Sequence, residues 1–505
     1  MLRLHLRKQP SMTSTNVEYA REFVKFLNAS PTPFHAVQNI KDHLSEHGFE
    51  QLKEENPWEN SLQTGKGYFV TRNDSAIIAF YVGSQYVGGN PFAIVGAHTD
   101  SPVLKIKPIS KKTNEKYDLV GVECYGGGIW HSWFDADLSI AGRVVYREDT
   151  ANGYQLISKL VDLKKPLLKI PTLAIHLDRD VNQKFEFDRE NQLLPLAGLQ
   201  AKQAGKDGDE DQHSCSQAQE DSFFSIKSVL QRHHRDLVDL VAKDLQIQSE
   251  QIEDFELTLY DHKPSCLGGL HDEFVFSGRL DNLTSCFTGM HALTEAEDDD
   301  DSNDASSSAI RMLACFDHEE IGSSSAQGAD SNFLPSVMER LATPTLGSGA
   351  HDAFSGERDL LKIATRKSFF LSSDVAHAVH PNYASKYEVN HKPMIGGGPV
   401  IKINANQRYM TNTPGLVLVK ALADLAKVPL QLFVVSNTSP CGSTIGPIIA
   451  SKTGIQTLDL GNPILSMHSI RETGGSDDLE SQISLFRKFY QKGNQILETG
   501  HVKTT

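Results

Sequence analysis

No C-x-x-C pair occurs in the sequence, and its six cysteines (Cys124, Cys215, Cys266, Cys286, Cys315 and Cys441) are scattered along 505 residues. That spacing excludes a disulfide framework and reads as reduced thiols in a cytosolic-type compartment. No run of about 18 apolar residues appears, so no membrane-spanning helix and no membrane partner are expected. A basic excess is missing too. With 49 Lys and Arg against 64 Asp and Glu, the net charge is −15, the wrong sign for a phosphate-binding face, and no nucleic-acid partner is expected. The phosphate loop G-x-x-x-x-G-K-[ST] and the dinucleotide fingerprint G-x-G-x-x-G are both absent. So is H-E-x-x-H: His318-Glu319 runs on into Glu320, Ile321 and Gly322, without the second zinc histidine of that class. There is no internal repeat.

What remains is a chain too long for one simple core, with a legible order of elements. The first fifteen residues carry Arg3, Arg7 and Lys8 without an acid. Their apolar run is too short for a secretory signal, which leaves a weak organellar signal or, by expectation, a disordered start. Ala20, Phe23, Val24 and Leu27 then fall at helical spacing behind Ser14, Thr15 and Asn16, which predicts a first helix. Strand-like runs follow at 77–82, 92–95, 310–316, 368–371, 430–435 and 457–460, with helical stretches such as 416–426 between them. This alternation predicts an α/β sheet covered on both faces. The region from about 103 to 270 lacks it and reads as a separate insertion. Two polar stretches, 201–222 and 298–308, read as surface loops or disorder, and the acidic run beginning at Glu295 as a surface elaboration.

The chemistry lies where acids and histidines meet strand ends. His98 and Asp100 follow the run FAIV, and Asp317, Glu319 and Glu320 follow IRMLACF. Asp374 follows SFFL, and His468 comes shortly after TLDL. Ligands of open α/β sheets bind beyond the carboxyl ends of the strands, so these ends would deliver imidazoles and carboxylates to one rim. Asp281, just before the apolar helix 286–293, joins from a loop. Zinc takes His nitrogen and carboxylate oxygen, and a pair of metals needs a bridging carboxylate. Water held by such metals ionises near neutrality, and an adjacent carboxylate can take its proton. Neighbouring Glu319 and Glu320 suit a division into base and ligand, and His98-x-Asp100 suits a ligand with an orienting acid. Taken singly, each acid is equally a loop residue or a helix cap, and His98 a partly buried histidine. The triple glycines 126–128 and 396–398 could aim N–H groups at an anion or simply turn the chain.

The ordered series GAHTDSP, YGGGIW, LAIHLDR, GRLDNL, DHEEIG, SSDVAHAVHPNY, GPVIKIN, PCGSTIGP and MHSIRE resembles the aspartyl aminopeptidases of the M18 metallopeptidase family. The resemblance covers nearly the whole chain. It implies a zinc-exopeptidase fold, a mixed central sheet flanked by helices, with an inserted, mainly β dimerisation domain at 103–270. The catalytic domain would be 1–102 and 271–505. It further implies two zinc ions per subunit, one held by His98 and Asp374, the other by Glu320 and His468, with Asp281 bridging. Glu319 would be the general base and Asp100 the acid behind His98. His176, which alone reads as a buried strand histidine, would reach a neighbouring subunit's site and stabilise the tetrahedral intermediate. The family assembles as a tetrahedral homododecamer whose interior sites admit short peptides, in the cytoplasm or, for one branch, the vacuole.

The sequence departs from that family near the substrate pocket. Gly397 stands where a lysine precedes GPVIK, and Ser436 and Thr438 where an arginine and an acid are expected. A preference for N-terminal Asp or Glu would then need another receiver: the N–H groups of 396–398, Lys402 or Arg408. The alternatives are a neutral-residue, leucyl-type aminopeptidase and, outside enzymes, a scaffold or cargo particle. An intact Glu319 and a full ligand set speak against the last.

Overall fold

A computed structural model of the chain describes residues 14–59, 61–200, 225–296, 308–342 and 359–499. The expected disordered start and the polar stretch 201–222 therefore lie outside the described residues, as does the acidic run from 297 onward. The chain forms two compact units. The first comprises Met1–Asp100, Ser265–Met467 and Glu472–Thr505, and the second Ser101–Pro264 with the short piece His468–Arg471.

The first unit is built on a nine-stranded mixed sheet. Its spatial order is Glu50–Leu52, Lys66–Arg72, Ala76–Val82, Ile310–Phe316, Phe92–His98, Phe369–Ser373, Gln456–Gly461, Val400–Ile403 and Gln431–Val434. The four strands from Ile310–Phe316 to Gln456–Gly461 run parallel. They are almost wholly buried, as expected of parallel strands covered on both faces. Gly96 shows how tightly they pack: a Cβ there would lie 2.0 Å from Cζ of Phe370 on the adjacent strand.

Helices cover the sheet. Helix Ser14–Ala29 buries Ala20, Phe23 and Leu27 as its spacing predicts, and Leu280–Thr294 is buried from Leu280 to Leu293. This helix begins six residues before the apolar run 286–293. Its polar first turns are tied to the adjacent strand: Asn282 Nδ2 donates to Ser373 O (2.7 Å), and the hydroxyl of Ser373 donates to that of Ser285 (2.8 Å). A smaller five-stranded sheet joins Cys266–Gly268, Phe274–Ser277, Glu472–Gly475, Pro463–Leu465 and Ala376–His377. Glu295, expected on a solvated acidic surface, instead accepts from the Tyr19 hydroxyl (2.7 Å) and pairs with Arg487 (3.1 Å).

The second unit is mainly β. Six strands close a hydrogen-bonded round, Val103–Asn114, Tyr117–Tyr125, Leu196–Leu199, Leu168–Lys169, Asp137–Thr150 and Ile252–Asp261, and Gly153–Asp162 adds to Asp137–Thr150. Closure removes free sheet edges. Helix Arg235–Leu245 packs Leu237, Val238 and Val241 into this unit's own core. Among the described residues, no helix is long and apolar enough to cross a membrane.

Candidate metal centre

Parallel pairing carries three strand ends to one edge of the large sheet. His98 closes its strand opposite Phe316, Asp317 follows that Phe, and Asp374 follows Ser373. His98 is 1% exposed, Asp100 1% and Asp281 3%. The ring of His98 is held on both sides. Its Nδ1 lies 3.0 Å from the Asp100 carbonyl oxygen and 3.4 Å from Asp100 Oδ1. Its Nε2 faces Asp281 Oδ1 at 3.2 Å, with Glu319 Oε2 and Asp374 Oδ1 each at 4.0 Å. His98, Asp281 and Glu320 each offer one donor atom, all within 4.8 Å of one another.

Asp281 stands at a break in the Leu280–Thr294 segment, ahead of its regular helical turns, in keeping with the expectation that it joins from a loop before the helix. Its backbone is non-helical there (φ −82°, ψ 104°), and the Asp281–Asn282 peptide is cis. Its N–H donates to the buried Glu472 carboxylate (3.2 Å), while Asn282 is tied to Ser373, the residue before Asp374. Helix and strand end are thus fixed to each other beside the cluster. Glu319 and Glu320 open a short turn, Glu319–Ile321, set between His318 and Gly322 in left-handed backbone. Their N–H groups donate to the two oxygens of Asp100, at 3.0 and 3.1 Å. Asp100 therefore anchors the turn carrying both glutamates as well as facing His98, a double role that its position in the sequence does not reveal.

The charges explain why cations fit. Burial above all, with the charges of Asp374, Asp100 and Asp281, pushes Glu319 up to about 8 against the pull of His98. Burial and Asp100 likewise raise Asp317 to about 6, and burial raises Asp374 although Lys402 opposes it. For His98, burial disfavours the charged ring, yet the hydrogen bonds to Asp100 and Asp281 win and hold it well above its usual value. Buried carboxylates crowded around one imidazole are stable only when protonated or when cations neutralise them. An oxygen-rich set with one imidazole is also a donor set that zinc accepts. The residues present fit divalent metal ions.

Two expected residues belong to the second unit. His468 takes left-handed backbone (φ 67°), and its Nδ1 lies 3.1 Å from the Gly127 carbonyl oxygen, while Ile129 N–H donates to the His468 carbonyl (2.9 Å). The YGGGIW turn thus holds a histidine by the carbonyl of Gly127. His176 is not a buried strand residue. It is exposed on a turn, flanked by exposed Leu173, Ile175 and Leu177, and among the described residues no strand pairs with this stretch.

The other triple glycine is also committed. Gly396 and Gly398 donate to the two oxygens of Asp478 (2.8 and 2.9 Å), and Gly397 to the Met394 carbonyl. None of these N–H groups is left for a substrate carboxylate. Beside Gly397, the Gln431 side chain fills the space where a Cβ would stand, 2.5 Å from Nε2. Lys402 is 3% exposed, donates to the Val375 carbonyl (3.2 Å) and stands 3.7 Å from Asp374 Oδ2. It belongs to the cluster and is not a free receiver.

A profile of the family described as aminopeptidase I zinc metalloprotease (M18) matches residues 26–490. The chain is 62% identical over 500 residues to aspartyl aminopeptidase 4 of Saccharomyces cerevisiae, covering 98% of this chain and 99% of that one. Its fold matches the cryo-EM structure of the Ape4 and Nbr1 complex with a TM-score of 0.86 at 46% identity, covering 98% of this chain and 89% of that one. The S. cerevisiae mApe1 dodecamer is similar with a TM-score of 0.79 at 28% identity, over 97% of this chain and all of that one (100%).

Proposed function

The chain belongs to the aminopeptidase I family of zinc metalloproteases (M18), and from that membership we propose that it removes single N-terminal residues, preferably Asp or Glu, from short peptides. It is a hydrolase, a metallo-aminopeptidase of that family. The observation that carries the reading is the buried convergence of His98, Asp281 and Glu320 within 4.8 Å, with Glu319 and Asp374 oxygens 4.0 Å from His98 Nε2.

In this reading His98 and Asp374 would hold one zinc ion and Glu320 and His468 a second, with Asp281 as the ligand they would share. Zinc bound there would polarise the peptide carbonyl and make water more acidic. Asp100 keeps His98 in one orientation and holds the Glu319–Ile321 turn through its two backbone N–H groups. Glu319 takes the proton of the attacking water and returns it to the leaving amine. Its burial favours that exchange, because a desolvated carboxylate holds a proton more readily. His176 serves a neighbouring subunit's site, where it steadies the charge growing on the carbonyl oxygen. Residues 1–102 and 271–505 then act as the catalytic domain and 103–270 as the dimerisation domain of a tetrahedral homododecamer in the cytoplasm.

The acidic preference draws support from the name of the 62%-identical yeast relative. A neutral-residue preference draws support from the commitment of Gly396, Gly397, Gly398 and Lys402 to other partners. Comparing kcat/KM on aspartyl and leucyl p-nitroanilides separates the two. Chelation should abolish turnover and zinc restore it, with two ions per chain by elemental analysis and clear metal loss in Asp281→Ala. Full activity in metal-free protein would end the metal reading.

A further inference from the structure

Lys402 is the third residue of Val400–Ile403, a strand buried through its first three positions. An ammonium group is costly to bury unless anions and acceptors surround it. The sheet register brings those partners to it. Ile401 pairs with Leu460, and Leu460 with Ser373. Because Val400–Ile403 runs antiparallel to Gln456–Gly461, Lys402 lies one residue inward of that row and Asp374 one residue outward. The four-carbon lysine stem spans the difference. It carries Nζ to 3.7 Å from Asp374 Oδ2 and 3.2 Å from the Val375 carbonyl oxygen.

The two oxygens of Asp374 therefore face different neighbours. Oδ1 lies 4.0 Å from His98 Nε2, on the side of the metal donors, and Oδ2 is turned to Lys402. The lysine is itself fixed from behind. The Tyr409 ring lies 5.1 Å from Nζ, and the fully buried carboxylate of Asp459 is within reach of the lysine charge. Asp459 is held in turn by the Met410 N–H (2.6 Å) and the Thr444 hydroxyl (2.5 Å). It takes no part in the hydrolytic steps and serves as a counter-charge for the buried ammonium.

We propose that Lys402 is a positioning residue for the hydrolysis: its ammonium occupies Oδ2 of Asp374, so that this ligand offers a metal Oδ1 alone and a coordination position stays free for water or substrate. A carboxylate can bind a metal through one oxygen or both, and a catalytic zinc needs a position that no protein atom fills. The assignment rests on the reading of Asp374 as a metal ligand. A lysine that only neutralised buried acids would matter for stability and leave the coordination number as it is.

The test loads full-length wild type, Lys402→Met, Lys402→Arg and Asp374→Ala with Co²⁺ after chelation and reads the visible absorption, which weakens as the coordination number of Co²⁺ rises. Methionine keeps most of the length and removes the charge. Lys402→Met should bind zinc at the wild-type stoichiometry and no more weakly, by competition with a chromophoric chelator, yet lose cobalt absorption. Its kcat should fall by about 10–100-fold, the range typical of outer partners of metal ligands. Lys402→Arg, still a cation, should recover part of both. Unchanged cobalt absorption in Lys402→Met, or loss of its zinc, would overturn the proposal. If the unpaired Asp459 prevents folding, Lys402→Met combined with Asp459→Asn carries the same measurement. An unchanged spectrum in Asp374→Ala would remove Asp374 from the ligand set, and the role of Lys402 with it. A change there with none in Lys402→Met would refute the role of Lys402 alone.

Discussion

Replacing Glu319 by Gln keeps size and shape and removes the ability to take a proton. General-base catalysis contributes about 10²–10⁴-fold, so kcat should fall by that order while zinc content stays at the wild-type value. Glu320→Gln should lower zinc content instead; the reverse pattern would show that the adjacent pair has been assigned backwards. Asp100→Ala is expected to damage both properties, because one carboxylate faces His98 and holds the N–H groups of both glutamates. Outer partners of metal ligands typically account for about 10–100-fold in affinity or activity. Zinc competition assays on Asp100→Ala should show a loss of that size, and wild-type affinity would contradict it. At this scale the residue types were legible, since each acid or histidine stands just after an apolar run. The bonds between them were not. Nothing in GAHTDSP says that Asp100 will bind two N–H groups beyond residue 300.

Elements test the packing behind the site. A methyl on Gly96 has nowhere to go, with Phe370 Cζ 2.0 Å from the Cβ position. Gly96→Ala should therefore cost about 1–3 kcal/mol in urea unfolding, and adding Phe370→Leu should recover part of it; equal stabilities for the single and double variants would refute the clash. The helices Ser14–Ala29, Pro33–Glu46 and Leu280–Thr294 meet at a histidine cluster. The ring of His43 stacks on His47 (centroids 4.2 Å) and tilts against His291 (4.8 Å), with Thr294 hydrogen-bonded to it and Tyr19, Glu22, Glu295 and Arg487 around His291. Burial first, then the charges of His291 and His47, push His43 down to about 3 from 6.5, against Glu295. A folded-state pKa below the unfolded one means that this ring's contribution to stability is complete above about 6.5 and is lost as pH falls toward 3. His43→Phe should thus lose less stability than wild type between about pH 7.5 and pH 5. Parallel losses in the two proteins would rule the cluster out as the source. The start of Leu280–Thr294 escaped the periodicity because its first turns carry Asn282, Thr284 and Ser285, polar residues that hydrophobic spacing reads as loop.

Assembly belongs to the whole molecule. If His176 serves a neighbouring site, His176→Phe should lose turnover and keep its zinc. Mixing it with Glu319→Gln chains should regain activity, since an intact copy of each residue can meet in one site. No recovery after demonstrated subunit exchange would favour a site made by a single chain. Exposed Leu173, Ile175 and Leu177 beside His176 are the side chains that such an interface would bury.

Local chemistry made much of this protein legible from its sequence. Buried parallel strands must be continuous apolar runs, helices must carry their apolar spacing, and the residues following strand ends must gather at one edge of the sheet. Those rules were enough to gather His98, Glu319, Glu320 and Asp374, with Asp281 joining from the start of a helix. Tertiary structure alone decided how the polar groups are spent. Asp478 takes the N–H groups of Gly396 and Gly398, the Gly127 carbonyl holds His468, and Lys402 turns inward to Asp374 and Val375. A backbone N–H or a lysine can pair with any acceptor that folding brings within about 3 Å. That acceptor can lie tens or hundreds of residues away, where no spacing in the sequence records it.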